Sequence, residues 1–262
     1  MTYAAGFICA SLPDQLERRR RFAVEFAARE QFEFVDSIDG RSWSIEEADK
    51  FVSDHLRAVR QTEREKGKTW LNEAAVACAL THRDKLLVIA EQRDVFLCED
   101  DAVIGRDLID AFQQPSFRNG LRQLNGPVLA HYLAHVPILT DESPVIRLGR
   151  FGVYRLTSSH IMSGACYYAS PTVAGAIRKA QTPINYAADL WLNMRRDGAF
   201  ADIFLLHPRP CNTAGFYSTI GYRKSTLFNS NHLVLRALRK LNRKLWDRKL
   251  NAHHAISNLP EC

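Results

Sequence analysis

Three consecutive acids, Glu99-Asp100-Asp101, close the apolar run Val95-Phe96-Leu97-Cys98. Carboxylates repel one another, and a buried strand does not ordinarily finish with a stack of them, so a cation is their natural counterpart. Hard oxygen ligands of this kind suit Mg²⁺ or Mn²⁺, which keep waters and bridge to substrate phosphates. Side chains alternate across a strand, so Glu99 and Asp101 share one face while Asp100 points away, unless the strand bends there. In open α/β sheets the carboxyl end of a strand is also where ligands bind. The same three residues equally suit a solvated turn leading into a helix at 107–112, and the tripeptide alone does not choose between the two.

The elements that must position these acids follow from the apolar pattern. Ala5–Ala10 reads as an opening buried strand that ends at Ser11-Leu12-Pro13. Asp14 can cap the helix after it, which carries Leu16, Phe22, Val24 and Phe26 around the run Arg18–Arg21. Phe32-Glu33-Phe34-Val35-Asp36 alternates like a second strand, and Asp39-Gly40 marks a turn. Residues 41–70 are charged and helical in look but lack a continuous apolar face, so they read as a surface excursion. Between Glu73 and Glu91, residues Val76, Ala79, Leu80, Leu86, Leu87 and Ala90 occupy about a third of the helical circumference, the stripe of a helix packed on a sheet. Strands are predicted at 94–98, 127–134, 145–156, 161–169 and 200–206, and helices at 171–180 and 187–196. This order predicts one mixed α/β domain over 1–228 and a basic, amphipathic helical tail over 229–262.

The chain has 262 residues and a formal net charge of +6. Arg236, Arg239, Lys240, Arg243, Lys244, Arg248 and Lys249 stand against Asp247 alone within 233–250, which accounts for the whole excess. The body is therefore formally neutral, which argues against a chain-wide nucleic-acid footprint. Six cysteines are scattered with no C-x-x-C pair and read as reduced, small core residues rather than a zinc or disulfide framework. The N-terminal residues lack a basic region followed by a long apolar one, and no window offers about 18 consecutive apolar residues. A cytoplasmic protein is the expectation.

Several segments together resemble glycosyltransferase family 25, the bacterial lipopolysaccharide and lipooligosaccharide glycosyltransferases. The pair Ala77-Cys78-Ala79-Leu80-Thr81-His82 and Val95-Phe96-Leu97-Cys98-Glu99-Asp100-Asp101-Ala102 looks like that family's two central motifs. Ile8-Cys9-Ala10-Ser11-Leu12 with Glu17-Arg18-Arg19 is similar to its first strand and arginine-bearing helix, and Phe34–Gly40 to its second strand and Asp-Gly turn. Cys166–Ser170, Pro183–Leu192 and Ser218-Thr219-Ile220 follow in the family's order, so the likeness covers roughly residues 5–222. Two departures stand out: Ala75 where many members carry Glu, and Asn185 where an Asp is usual.

The resemblance implies a GT-A type, Rossmann-like nucleotide-sugar-binding fold, a Mn²⁺ or Mg²⁺ cofactor, and inverting transfer of a sugar, commonly galactose from UDP-galactose, to a lipopolysaccharide or other glycan acceptor. Inversion needs a base for the acceptor hydroxyl while an oxocarbenium-like transition state develops. Asp189 is the match for that base; a helix N-terminal acid is its structural alternative. Asp101 matches the direct metal ligand, and Glu99 a ribose contact or an orienter of metal-bound water. His207, after the last strand, matches a late third ligand or a structural histidine. Ser11, Leu12, Arg18, Arg19, His82, Asp100 and Asn185 complete the donor-binding set, and Trp191 offers either a sugar-stacking or a packing surface.

In the tail, Val234, Leu238, Leu241 and Leu245 line one side of a helix opposite the basic residues, the pattern of an interfacial helix on anionic headgroups. Packing of that stripe on the body is the alternative. The expectation is thus an enzyme on the cytoplasmic membrane face with a lipid-linked acceptor and no nucleic-acid partner. Two other classes remain open at this level: a non-catalytic basic protein binding anionic lipid or nucleic acid, and a metal-dependent nucleotide pyrophosphatase.

Overall fold

The structure is a computed structural model, and it describes residues 6–28, 31–67, 71–133, 138–157 and 161–214. Its chain opens β-α-β, as the apolar pattern predicts: β1 (Phe7–Ser11), α1 (Leu16–Ala23) and β2 (Phe32–Asp36). Then come α2 (Ile45–Asp49), α3 (Asp54–Glu65), α4 (Glu73–Thr81), a π-helical turn at His82–Leu86, α5 (Leu87–Ala90) and β3 (Phe96–Glu99). Next are β4 (Ala102–Ile104), α6 (Arg106–Gln113), α7 (Pro115–Arg122), β5 (Val128–Leu129), β6 (Ile146–Leu148), β7 (Phe151–Arg155) and β8 (Cys166–Tyr168). The described part ends with α8 (Pro171–Ala180), α9 (Trp191–Arg196), β9 (Phe204–His207) and β10 (Cys211–Thr213).

Among the described residues one mixed sheet carries eight strands in the order β2-β1-β3-β8-β5-β9-β7-β6, and β4 pairs with β10 separately. β1 runs parallel to β2 and β3, while β8 is antiparallel to both β3 and β5. Consequently β1, β3, β5 and β9 deliver their carboxyl ends to the same edge.

Period-2 alternation divides the core between the two faces. Phe7, Cys9, Phe96 and Cys98 pack with Phe22 of α1 and with Leu108 and Phe112 of α6. Ile8, Ala10 and Leu97 pack on the other face with Leu86, Leu87, Ile177 and Trp191. This division decides where the acids after Cys98 must go: Glu99 continues the face of Leu97, toward α4 and the π turn, and Asp100 turns back toward α1.

The 41–70 segment is more organised than its composition suggests. Ala48, Val52 and Leu56 form a third core with Val76, Ala79, Leu80 and Ile184. Buried Arg60 ion-pairs with Asp49 and Glu73 and donates to the Leu71 carbonyl at 2.9 Å. The apolar face is thus short and spread over two helices and the link between them, and buried charge, which a search for an apolar stripe does not register, adds to it. The single strand expected at 145–156 is a hairpin, β6–β7, because Gly149 takes φ +62° in the turn between them. Among the described residues no helix is long and apolar enough to cross a membrane. Both the proposed boundary at 228/229 and the basic segment 233–250 lie outside the described residues.

Candidate functional site

Two cavities open at the carboxyl edge of the sheet and meet at Glu99 and Cys78, which line both. The first, about 80 Å³, runs along the end of β1 past Ser11, Leu12, Arg18, Asp39 and His82. The second, about 270 Å³, is lined by Asp101, His131, Ser163, Gly164 and Asp189 among others.

Asp100 anchors the junction from behind. It accepts from Ser11 Oγ at 2.6 Å and from Arg18 Nε at 2.6 Å, with Arg18 Nη2 2.5 Å away. Both ionic partners are buried, so Asp100 and Arg18 act as a fixed strut between β1, α1 and the end of β3 rather than as free donor ligands. Asp100→Asn removes a counter-charge from a buried guanidinium and is expected to cost about 3–5 kcal/mol of stability. The urea-unfolding midpoint measures it, and a loss below about 1 kcal/mol would show that the strut does not hold this edge together.

Glu99 and Asp101 face the second cavity together, as strand alternation predicts, but their environments differ. Burial works to raise the Glu99 pKa, yet His82, then Arg18 and His131, outweigh it and hold the carboxyl below the usual range. Burial and then the charge of Glu99 push Asp101 up to about 6. Its Oδ1 is buried and has no hydrogen-bond partner. A hard divalent cation fits this position, because it would satisfy that oxygen and relieve the repulsion between the two carboxylates.

Asp189 reaches the same cavity. It precedes α9 rather than lying within it, so the helix expected from 187 begins four residues later. Burial and then Glu99 raise its pKa, while a contribution from His82 opposes them.

Sequence reasoning missed two lining residues. His131, just after β5, contacts Ser163 Oγ through Nδ1 at 2.6 Å, and burial followed by Arg209 depresses its pKa to about 4, which keeps the ring neutral. Ser163 holds φ 135°, a strained value for a residue with a side chain, and its carbonyl accepts from Trp191 Nε1 at 2.9 Å. Neither was marked in the sequence: the strand expected at 127–134 places His131 in its interior, whereas β5 ends at Leu129, and nothing singled out Ser163.

Other expected contacts fall elsewhere. Trp191 is 1% exposed and packs edge-on to Tyr167, so it is a packing residue rather than a sugar platform. Asn185 donates Nδ2 to the Ala180 carbonyl at 2.7 Å, which ties its side chain to the end of α8. Arg19 reaches the Ser11 carbonyl at 2.9 Å and Asp36 at 2.5 Å, with its guanidinium over the Phe34 ring. His207 ends β9, with β8 and β5 between it and β3, and its ring meets Tyr154 edge-on. It is not among the residues lining either cavity. The cysteines divide as well: Cys9, Cys98, Cys166 and Cys211 are buried free thiols, whereas Cys78 opens to the cleft.

No protein-family model matches the chain, and no curated protein matches it.

Proposed function

We propose that this chain is an inverting glycosyltransferase of the family 25 kind, built on a GT-A type variant of the α/β sheet, that moves a sugar from a UDP-sugar to a saccharide acceptor. One observation carries the reading. The two cavities meet at a carboxylate held ionised, Glu99, while two acids of raised pKa, Asp101 and Asp189, face the larger one. Such a split suits a donor along the β1 edge and an acceptor beside Asp189, with the reacting carbon at the junction.

The chain's own residues then divide the work. The strut of Ser11, Arg18 and Asp100 fixes the strand ends against which the nucleotide lies. Asp101, with Glu99 beside it, is the residue that would hold Mn²⁺ or Mg²⁺, which when bound supplies charge neutralisation to a departing diphosphate. Asp189 takes the proton of the acceptor hydroxyl, a role for which a raised pKa is suited because it brings the base nearer the operating pH. His131 is kept neutral and holds Ser163, and through it the cavity wall, in place. A lipid-linked acceptor belongs to this proposal, with the basic segment 233–250 as the part of the chain that meets the membrane.

The test is UDP release from UDP-galactose and other UDP-sugars, with Mn²⁺ and with a chelator. Cation-dependent release, stimulated by a saccharide acceptor, is the expected result. Absence of both release and binding for every UDP-sugar would sink the reading, and cleavage of nucleoside diphosphates that carry no sugar would replace it with a pyrophosphatase.

A further inference from the structure

The floor of the cleft holds a side-chain cluster of which the glycosyl-transfer reading uses Glu99 alone, beside Asp101. Cys78 and His82 stand four residues apart on the continuous α4–π-turn rod, so both project from one side of it, and β3 brings Glu99 against them. One ligand-type atom from each of the three lies within 4.8 Å of the others. His82 is 4% exposed, and its Nε2 has no hydrogen-bond partner; the nearest carboxylate oxygen, Glu99 Oε1, is 3.5 Å away. That separation is close to the edge of a tetrahedral Zn²⁺ site, about 3.5 Å for bonds of 2.0–2.3 Å. The other ring nitrogen is fixed from behind: Nδ1 meets the buried Tyr167 hydroxyl at 3.0 Å, and the two rings stack 10° from parallel. Outer contacts of this kind orient metal-binding histidines.

Room for a ligand is present as well. A Cβ on residue 164 would lie 2.9 Å from Glu99 Oε1 and 3.4 Å from His82 Cε1, so the glycine there keeps the space over the cluster clear. The π turn begins at His82 itself, and such insertions are enriched at functional sites because they shift the phase of one side chain relative to the rest of the helix.

We propose that Cys78 Sγ, His82 Nε2 and a Glu99 carboxylate oxygen form a site for a thiophilic divalent cation of the Zn²⁺ class, with a fourth position open to the larger cavity. The donor set adds sulfur and nitrogen to the oxygen that Asp101 and Glu99 alone would offer, and a sulfur ligand selects Zn²⁺ or Co²⁺ over Mg²⁺ and Mn²⁺. On binding, the Cys78 sulfur exchanges its proton for the metal and the proton leaves to solvent. The site shares Glu99 with the glycosyl-transfer reading, but its test stands apart from that reading, since the readout is coordination rather than turnover.

Co²⁺ titration of the metal-free full chain tests it. One equivalent is expected to give the intense near-ultraviolet sulfur-to-cobalt band with visible bands of tetrahedral strength, and Zn²⁺ should displace them. Cys78→Ser should abolish the sulfur band, and Tyr167→Phe should weaken binding by about 10-fold or more through loss of the outer contact. Asp101→Asn should retain the spectrum. Absence of the sulfur band in the unaltered chain overturns the proposal without recourse to any variant. Persistence of the band in Cys78→Ser, or its loss in Asp101→Asn, overturns the assignment of ligands.

Discussion

Asp101→Asn is expected to lower cation-dependent turnover of a UDP-sugar by about 100–1,000-fold or more, the scale on which removing one preorganised electrostatic partner of a transition state acts. The substitution is nearly isosteric, so a loss of that size reports charge rather than shape. The same change is expected to stabilise the apo chain. Burial and Glu99 raise the Asp101 pKa to about 6, against about 3.9 for an unfolded Asp. Between those values the unfolded chain gives up its proton first, so stability falls as pH rises from about 4 to about 6 and stays reduced above it, by about 3 kcal/mol at most. Asn carries no such penalty. In chelator near neutral pH the variant should therefore melt above the unaltered chain, and Mn²⁺ should raise the melting temperature of the unaltered chain only. A lower melting temperature in chelator would contradict the burial penalty on Asp101, and cation-dependent turnover within a few-fold of the original would contradict its ligand role.

The physical reasons for what the sequence revealed are local. Strand periodicity acts residue by residue, so the division of Glu99 and Asp101 from Asp100 was readable from the alternation of Val95, Phe96, Leu97 and Cys98 alone. It extends to partners: the face that carries Cys98 also carries α1, which is why Asp100 meets Arg18. Nothing comparable marked the 41–70 segment, where the apolar contacts of Ala48, Val52 and Leu56 are spread over two helices and the link between them, and Arg60 adds ion pairs to residues 11 and 13 positions away. The π turn was hidden for a different reason. Val76, Ala79 and Leu80 fix one helical phase and Leu86, Leu87 and Ala90 another, and a stripe as wide as this one absorbs the offset. His82 sits at the offset, so its orientation toward Glu99 follows from backbone geometry rather than from residue type. Asn185 had a matching position in a motif order and His207 one after the last strand, but such a match does not fix a side chain's direction: the first is tied to the end of α8 and the second meets Tyr154 of β7 edge-on.

Asp189→Asn separates the two halves of the proposed reaction, and a large effect on one half alone is expected. Asp189 lines the larger cavity and not the one along the β1 edge, so donor affinity should stay within about 3-fold of the original, as for a group that acts only in the transition state. Asn keeps the volume and can still accept a hydrogen bond from the acceptor hydroxyl, but it cannot take the proton. Transfer should then fall by about 100–10,000-fold, the range attributed to a positioned general base. Isothermal titration with a UDP-sugar and Mn²⁺ measures the first quantity, and acceptor-dependent UDP release measures the second. The raised pKa of Asp189, caused by burial and then by Glu99, adds a pH signature: the unaltered enzyme should lose activity as pH falls through that pKa, and this limb should vanish from the residual activity of the variant. Loss of donor binding in step with transfer would place Asp189 with the donor instead of the acceptor. Because Asp101→Asn strikes the cation and Asp189→Asn the proton, the pair of variants distinguishes a cleft that performs transfer from one that merely binds a nucleotide.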